Sequence, residues 1–450
     1  MPPIHDALRA HLAKLDREII LQHEVLTKLK HDRTLARREL NAVLDPVARL
    51  PLEISSEIFL SCLATSGTRF PQPGALHLPM LLLNICDAWS RIAVSTPSLW
   101  AGIHILFQDN PQSLQKLVPR WLTRAGNRPL SLSLSGYATF DSKVLGIVWS
   151  RARQLKHLEL CEVDPERRGL GMYKVERGQR LGGDGGWTMD LWEGGTGPGS
   201  LPALETLAVR GLEGSPRISR FPSRQIFELM RLAPNLIECL FRDVGVDFPP
   251  RGDKRTRLIL PKLRRLVFDE SNWSRNVLSH LNLPALETLA ADVHGVELLP
   301  FLEASSPPLR ELLLAKAGEF HLLARCLRLV PGLRRLELCT AQFDLAAELF
   351  VALAESRSTP SLLPQLSTLV IHFAAHADLS AIHDFFWLAA LRALAARRTH
   401  LQVLHLDIAE RPLASQMPAP AIIAGFRELV ADGMQLYIGD SLGKWKCTLD

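Results

Sequence analysis

The residues best suited to chemistry are seven cysteines, Cys62, Cys86, Cys161, Cys239, Cys326, Cys339 and Cys447, and fifteen histidines. A structural zinc site needs cysteines or histidines in close, paired spacings, and a nucleophilic cysteine needs an activating base. No Cys-x-x-Cys occurs, the cysteine count is odd, and most of these thiols stand inside apolar runs. They read as reduced, buried side chains, and Cys326 and Cys339 as core rather than as ligands. Gly195, Gly197 and Gly199 form a glycine-rich stretch without the strand and helix that a phosphate cradle requires, and His-Glu-x-x-His is absent. Arg251-Gly252-Asp253 and the sequon Asn272-Trp273-Ser274 matter only outside the cell or in the secretory route. Lys254-Arg255-Thr256-Arg257 reads as a solvated loop. The expectation is a non-enzyme with no metal and no cofactor.

What remains is recognition. The chain has 450 residues, 47% hydrophobic and 22% charged, with only 6% aromatic, so its core must be mainly Leu, Ala, Val and Ile. Net charge is +5 with acids and bases interspersed, unlike the concentrated basic patch of a nucleic-acid binder. The first residues lack a signal-peptide core. Apolar runs such as 76–86 and 385–391 are far short of the ~20 residues that span a bilayer. The expected setting is the cytoplasm or nucleus, with no membrane and no nucleic acid as partner.

Three kinds of element must position the recognition surfaces. Residues 6–42 carry a heptad: Leu8, Leu15, Gln22, Leu29 and Ala36 fall seven apart, as do Leu12, Ile19, Leu26, Arg33 and Leu40. Lys14, Asp16, Arg17, Glu18 and Glu24 lie off that seam. Two readings stand open: a helix folded back on its own protein, or a homodimeric zipper. Asp45-Pro46 ends the helix. Pro51 then opens a second helix, apolar around most of its circumference through Leu52, Ile54, Ile58, Phe59, Cys62 and Leu63. After a Pro/Gly loop, a further helix is expected from about Leu78 to Val94, with Leu82, Ile85, Cys86, Trp89, Ile92 and Ala93 as its stripe. Thr96-Pro97 stops it before Leu99-Trp100.

Leu-Pro-x-Glu-Ile-x-x-x-Ile-Phe over 50–59, Ile-Cys-x-x-Trp-x-x-Ile-Ala over 85–93 and Pro-x-Leu-Trp over 97–100 resemble an F-box. With the preceding heptad helix, the plan is similar to the fungal F-box-like proteins. The resemblance covers 45–105 closely; the loop between the two halves is longer than in many F-boxes. It implies a small three-helix module docking on the Skp-type adaptor of a cullin–RING ubiquitin ligase. By motif position Leu50, Pro51, Glu53, Ile54, Ile58 and Phe59 would make that contact, while Ile85, Trp89 and Trp100 are equally placed to be internal core.

Beyond Ile103 the pattern changes. Residues 129–134 alternate with period two, as strands do. A Leu-x-x-Leu-x-Leu pattern then recurs, beginning at Leu155, Leu204, Leu236, Leu263, Leu286, Leu309, Leu333, Leu366 and Leu401, at intervals of 23 to 49 residues. This is the signature of leucine-rich repeats, each a short parallel strand with a returning segment. Residues 223–232, 319–329, 345–354, 382–396 and 421–431 have helical patterns, and Met434–Ile438 supplies a last strand. No asparagine follows the motif at the usual turn position, so the array should be irregular. The longest interval holds a Gly-rich, charged insertion, 162–200, read as a disordered loop, or else as a mis-predicted coding segment.

The fold class expected is α+β multidomain: a heptad helix over 1–44, a helical F-box module over 45–105, and an irregular leucine-rich-repeat α/β solenoid over 106–450. Residues between the motif leucines would line one face of the sheet. Arg242, Arg265, Asp269, Glu311, Arg335 and Glu337 are the candidate target contacts, around an apolar stripe of Leu240, Val267, Ala290, Leu313 and Val370. The expected function is substrate recognition within a Skp–cullin–F-box ligase, for a target the sequence does not name. The alternative is a non-ligase repeat scaffold, dimeric through the heptad helix.

Overall fold

In a computed structural model the described residues are 3–65, 70–74, 76–107, 111–136, 140–163, 191–192, 197–212, 221–244, 257–269, 277–316, 318–355, 361–374, 377, 382–409, 413 and 416–440. The tripeptides 251–253 and 272–274 and most of 162–200 lie outside them. The chain is α/β. It divides into two compact units, Met1–Ile105 with Gln112–Leu132, and Leu106–Pro111 with Ser133–Asp450.

The first unit begins with one long helix, α1 (Pro3–Leu44). Asp45 stops it: its carboxylate accepts from the Val47 N–H at 2.8 Å, a turn that competes with further helix. Helix α2 (Leu52–Thr65) starts directly after Pro51, whose carbonyl accepts the Ser55 N–H. The expected helix from Leu78 to Val94 is two pieces, a 3-10 turn Met80–Asn84 and α3 (Asp87–Val94). They are separated by Cys86, which is extended at φ −157°, ψ 172° and fully buried. The break lets Cys86 enter the core and leaves Asp87 free to open a new helix. Ser56 and Thr96 share a hydrogen bond at 2.8 Å, and the Thr96 hydroxyl also reaches the Ile92 carbonyl at 2.7 Å. Trp100 is core: its Nε1 donates to the Ala93 carbonyl at 2.8 Å, and its ring meets Trp121 of α4 (Pro111–Ala125) edge-on at 4.9 Å.

The chain forms a twelve-stranded sheet whose order begins with β1 (Gly102–Phe107) and β2 (Leu130–Gly136). They are followed by β3 (Leu155–Glu162), β4 (Thr206–Arg210), β5 (Glu238–Arg242), β7 (Arg265–Asp269), β9 (Thr288–Ala291), β10 (Glu311–Leu314), β11 (Arg335–Ala341), β12 (Thr368–Phe373), β13 (Val403–Asp407) and β14 (Gln435–Gly439). The short β6 (Leu258–Ile259) and β8 (Leu281–Asn282) pair separately. From β3 onward every main-sheet pairing is parallel, and each strand is added beside its predecessor. The recurring motif is in register throughout: Leu158, Leu207, Cys239, Leu266, Leu289, Leu312, Leu336, Leu369, Leu404 and Leu436 form one rung. A parallel pair needs a crossover, and an in-register motif puts all its leucines on one face.

The crossovers contain α5 (Ser142–Trp149), α6 (Ser223–Leu232), α7 (Gly295–Ser305), α8 (Phe320–Arg328), α9 (Phe343–Ala354), α10 (Asp384–Arg397) and α11 (Pro420–Ala431). All but α5 and α7 coincide with the returning segments expected from periodicity. Rings join helix to sheet: Phe373 of β12 stacks on Phe343 at 4.1 Å and meets Phe386 edge-on at 6.1 Å. Of the insertion 162–200 only residues 162–163, 191–192 and 197–200 are described, and Leu191 among them packs in the core. Leu191 is fully buried, its N–H donates to the Gln225 side chain at 2.8 Å, and its carbonyl accepts from Trp149 Nε1 at 3.0 Å. An apolar side chain and two satisfied backbone groups hold it there. Among the described residues no helix is long and apolar enough to cross a membrane.

Candidate protein-binding surfaces

The first surface is the outer side of α2. Leu50, Leu52, Ile54 and Ile58 are 40%, 45%, 51% and 37% exposed, and Pro51 and Glu53 are exposed beside them. Phe59 differs: it is 1% exposed and packs on Trp89 of α3 with ring centroids 4.8 Å apart. Of the six residues the motif singles out, five are exposed and Phe59 anchors the helix from beneath. The polar Ser55 is the other buried residue of α2, its hydroxyl donating to the Val47 carbonyl at 3.2 Å.

The second surface is the open face of the sheet, described within the second unit alone. Alternate residues of each strand point away from the leucine rung. Their charges are matched across neighbouring strands: Glu159 with Arg210 at 3.0 Å, Glu238 with Arg265 at 3.1 Å and Arg242 with Asp269 at 2.6 Å. Further along, Asp292 meets Lys316 at 3.4 Å and Arg335 meets Glu337 at 2.6 Å. Such half-exposed pairs add little to stability; they hold the side chains in fixed positions. In the middle of this face is a depression of about 240 Å³. Val267, Ala290 and Leu313 line it together with Arg265, Asp269, Glu311, Arg335 and Glu337. Five of the six expected target contacts therefore come together, and Arg242 reaches the group through Asp269. The volume is below the ~300–1,000 Å³ of small-molecule sites and suits one inserted side chain.

At the next strands the face turns to histidine. His372 Nδ1 lies 2.9 Å from Asp407 and its Nε2 lies 3.4 Å from Glu337, so it bridges β11 and β13 across β12. The hydrogen bond to Glu337 raises the His372 pKa, Asp407 adds to it and burial opposes it. The same contact, against burial, lowers that of Glu337. His405, beside it, is shifted down by burial and then by the His372 charge. The repeat pattern puts both histidines beside motif leucines, on the open face, and strand register sets His372 opposite Asp407. Glu337, Cys339 and His372 also bring one possible metal-ligand atom each within 4.8 Å of one another. Arg335 and Asp407 already satisfy two of them, and burial pushes the Cys339 thiol up to about 11, so it is protonated at neutral pH.

Burial likewise raises Cys161 to about 12 and Cys326 to about 11. These are inert thiols, and none of the described cysteines forms a disulfide. One further spacing belongs to nucleophile chemistry: Gly439, Ser441 and Gly443 stand in Gly-x-Ser-x-Gly order after β14. A nucleophile elbow needs a following helix, and Ser441 lies outside the described residues. No protein-family model matches this chain, and no curated protein matches it.

Proposed function

We propose that this chain is a two-surface recognition protein of the F-box, leucine-rich-repeat kind. In this reading α2 docks on the Skp-type adaptor of a cullin ubiquitin ligase, and the open face of the repeat array holds a target protein. The observation that carries it is the exposed pair Ile54 and Ile58, one turn apart on a helix that Phe59 anchors from its buried side, with Leu50 and Leu52 exposed at its N-terminal end. Exposed apolar residues at i and i+4 are what a helix offers to a partner groove. The one-directional parallel order and the in-register leucines support a solenoid, and the side-chain-sized depression with charged margins supports a protein target. Transfer chemistry would reside on other subunits, and this chain would raise the local concentration of the target.

The test is co-purification with the Skp-type adaptor. Wild type captures it, and Ile54→Asp with Ile58→Asp abolishes capture while leaving circular dichroism and melting unchanged. Failure of wild type to bind, or binding by the double variant, rejects the adaptor reading. The second reading, a dimeric repeat scaffold outside any ligase, is favoured by one observation, the exposed heptad seam of α1.

A further inference from the structure

Helix α1 is 42 residues long, about 63 Å at 1.5 Å per residue. Every seam position from Leu8 to Leu40 is exposed, including Leu12, Ile19 and Leu29 at 58%, 61% and 60%. A fold-back on its own unit would have covered them. The contacts α1 does make with that unit come from elsewhere on the helix. Arg38 pairs with Asp87 at 2.6 Å and Asn41 donates to the Ile85 carbonyl at 3.1 Å. With Leu12, Ile19, Leu26, Arg33 and Leu40 at heptad position a, and Leu8, Leu15, Gln22, Leu29 and Ala36 at d, Arg38 is at f and Asn41 at b. Both lie on the side away from the seam. The unit therefore grips α1 by its back and leaves its apolar front uncovered.

The flanks of the seam say what covers it. Position g carries His11, Glu18, Val25, Asp32 and Glu39, and position e carries Arg9, Asp16, His23, Lys30 and Arg37. In a parallel, in-register pair of helices each g residue faces the e residue five positions on in the other chain. This sets His11 against Asp16, Glu18 against His23 and Asp32 against Arg37, with no like-charged pair. A fully overlapped antiparallel arrangement sets g against g and e against e, which brings Glu18 against Asp32 and Arg9 against Arg37, like-charged pairs that the parallel arrangement avoids. Leucine at three of five d positions suits two strands, and the lone charged Arg33 among the a positions specifies register.

We infer that the occupant of the α1 seam is α1 of a second copy of this chain, in a parallel, in-register coiled coil. Arg33 and Gln22 fix its register at a cost in affinity, so assembly depends on concentration. The dimer carries two α2 faces and two sheet faces and gains avidity for a target that offers two sites. This inference is independent of what α2 binds.

Light scattering on the full chain over a concentration series is the test. The mass rises from that of one 50.1 kDa chain to twice that value. Leu12→Asp with Ile19→Asp leaves it at one chain, with helix content and melting of the remainder retained because those residues are exposed. Asp32→Arg weakens assembly roughly ten-fold, since two cross-pairs become like-charged, and adding Arg37→Asp restores it. A single-chain mass at every concentration overturns the inference, as does a dimer indifferent to the seam substitutions. A dimer that Asp32→Arg strengthens, or that Arg37→Asp does not rescue, overturns the parallel arrangement.

Discussion

Helix α2 offers a sharp prediction, because Phe59 has a duty opposite to that of Ile54 and Ile58. Phe59 is 1% exposed, and its ring lies tilted against Trp89. Replacing it with alanine removes the anchor and leaves a cavity, at a cost of about 3–5 kcal/mol. Ile54 and Ile58 are 51% and 37% exposed, and trimming half-exposed side chains costs the free chain about 0.5 kcal/mol or less each. Their value lies in docking. Fully burying an isoleucine is worth about 1.5–3 kcal/mol, and roughly half of that area is still open, so each contributes about 1 kcal/mol on binding. Together Ile54→Ala and Ile58→Ala should weaken a docked partner by about 2 kcal/mol, roughly 30-fold. Urea unfolding, followed at Trp89 and Trp100, measures the first effect, and titration with the Skp-type adaptor measures the second. If Ile54→Ala and Ile58→Ala destabilise the fold as much as Phe59→Ala, the two-sided account of α2 is refuted. Unchanged adaptor affinity refutes the docking half alone.

Other expectations concern the second unit. His372, raised in pKa first by Glu337, contributes stability that is complete below its unfolded pKa and lost as pH rises through the folded value. Glu337, lowered in pKa, loses its contribution as pH falls through its own folded value. His372→Gln should therefore cost most in mildly acidic solution, about 1 kcal/mol after allowance for its partial exposure, and least at alkaline pH. A pH series of unfolding free energies that is parallel for wild type and variant contradicts this. Arg397, itself buried, donates to the Leu353 and Leu362 carbonyls at 3.2 and 2.6 Å. Arg397→Leu should cost about 2–3 kcal/mol by stranding both, read as a lower denaturant midpoint. At Gly295 an added Cβ would meet Leu322 Cβ at 2.7 Å and its backbone carbon at 3.2 Å. Gly295→Ala should cost about 1–3 kcal/mol through overpacking; a neutral melting shift counts against so tight an approach of α7 to α8.

Much of the second unit was legible because its signal repeats. Nine leucine motifs with strand period, separated by amphipathic stretches, define parallel strands and returning helices, and the in-register rung follows from them. Helix α7 was not legible: Pro300 stands inside it and Gly295 opens it, both poor helix residues. Its start is held instead by a reciprocal cap in which the Glu297 carboxylate accepts the His294 N–H at 3.0 Å. The break at Cys86 is not legible in the sequence because the apolar spacing from Leu82 to Ala93 suits one continuous helix; only packing shows that Cys86 leaves it. On α2 the sequence marked an apolar helix but not which side was core. Leucine, isoleucine and phenylalanine surround it, and periodicity does not distinguish the side that meets Trp89 from the side that meets water. The open-face cluster was named residue by residue, and the depression among Val267, Ala290 and Leu313 needed the register that sets those three strands side by side.

The most direct measurement of the central claim is a side-chain solvent-labelling footprint of the full chain with and without saturating Skp-type adaptor. The account predicts that labelling of Leu50, Leu52, Ile54 and Ile58 falls sharply on binding, while Leu12, Leu15 and the sheet residues Val267 and Leu313 keep their reactivity. A complex that leaves the α2 row fully labelled, or no complex at saturating adaptor, contradicts it.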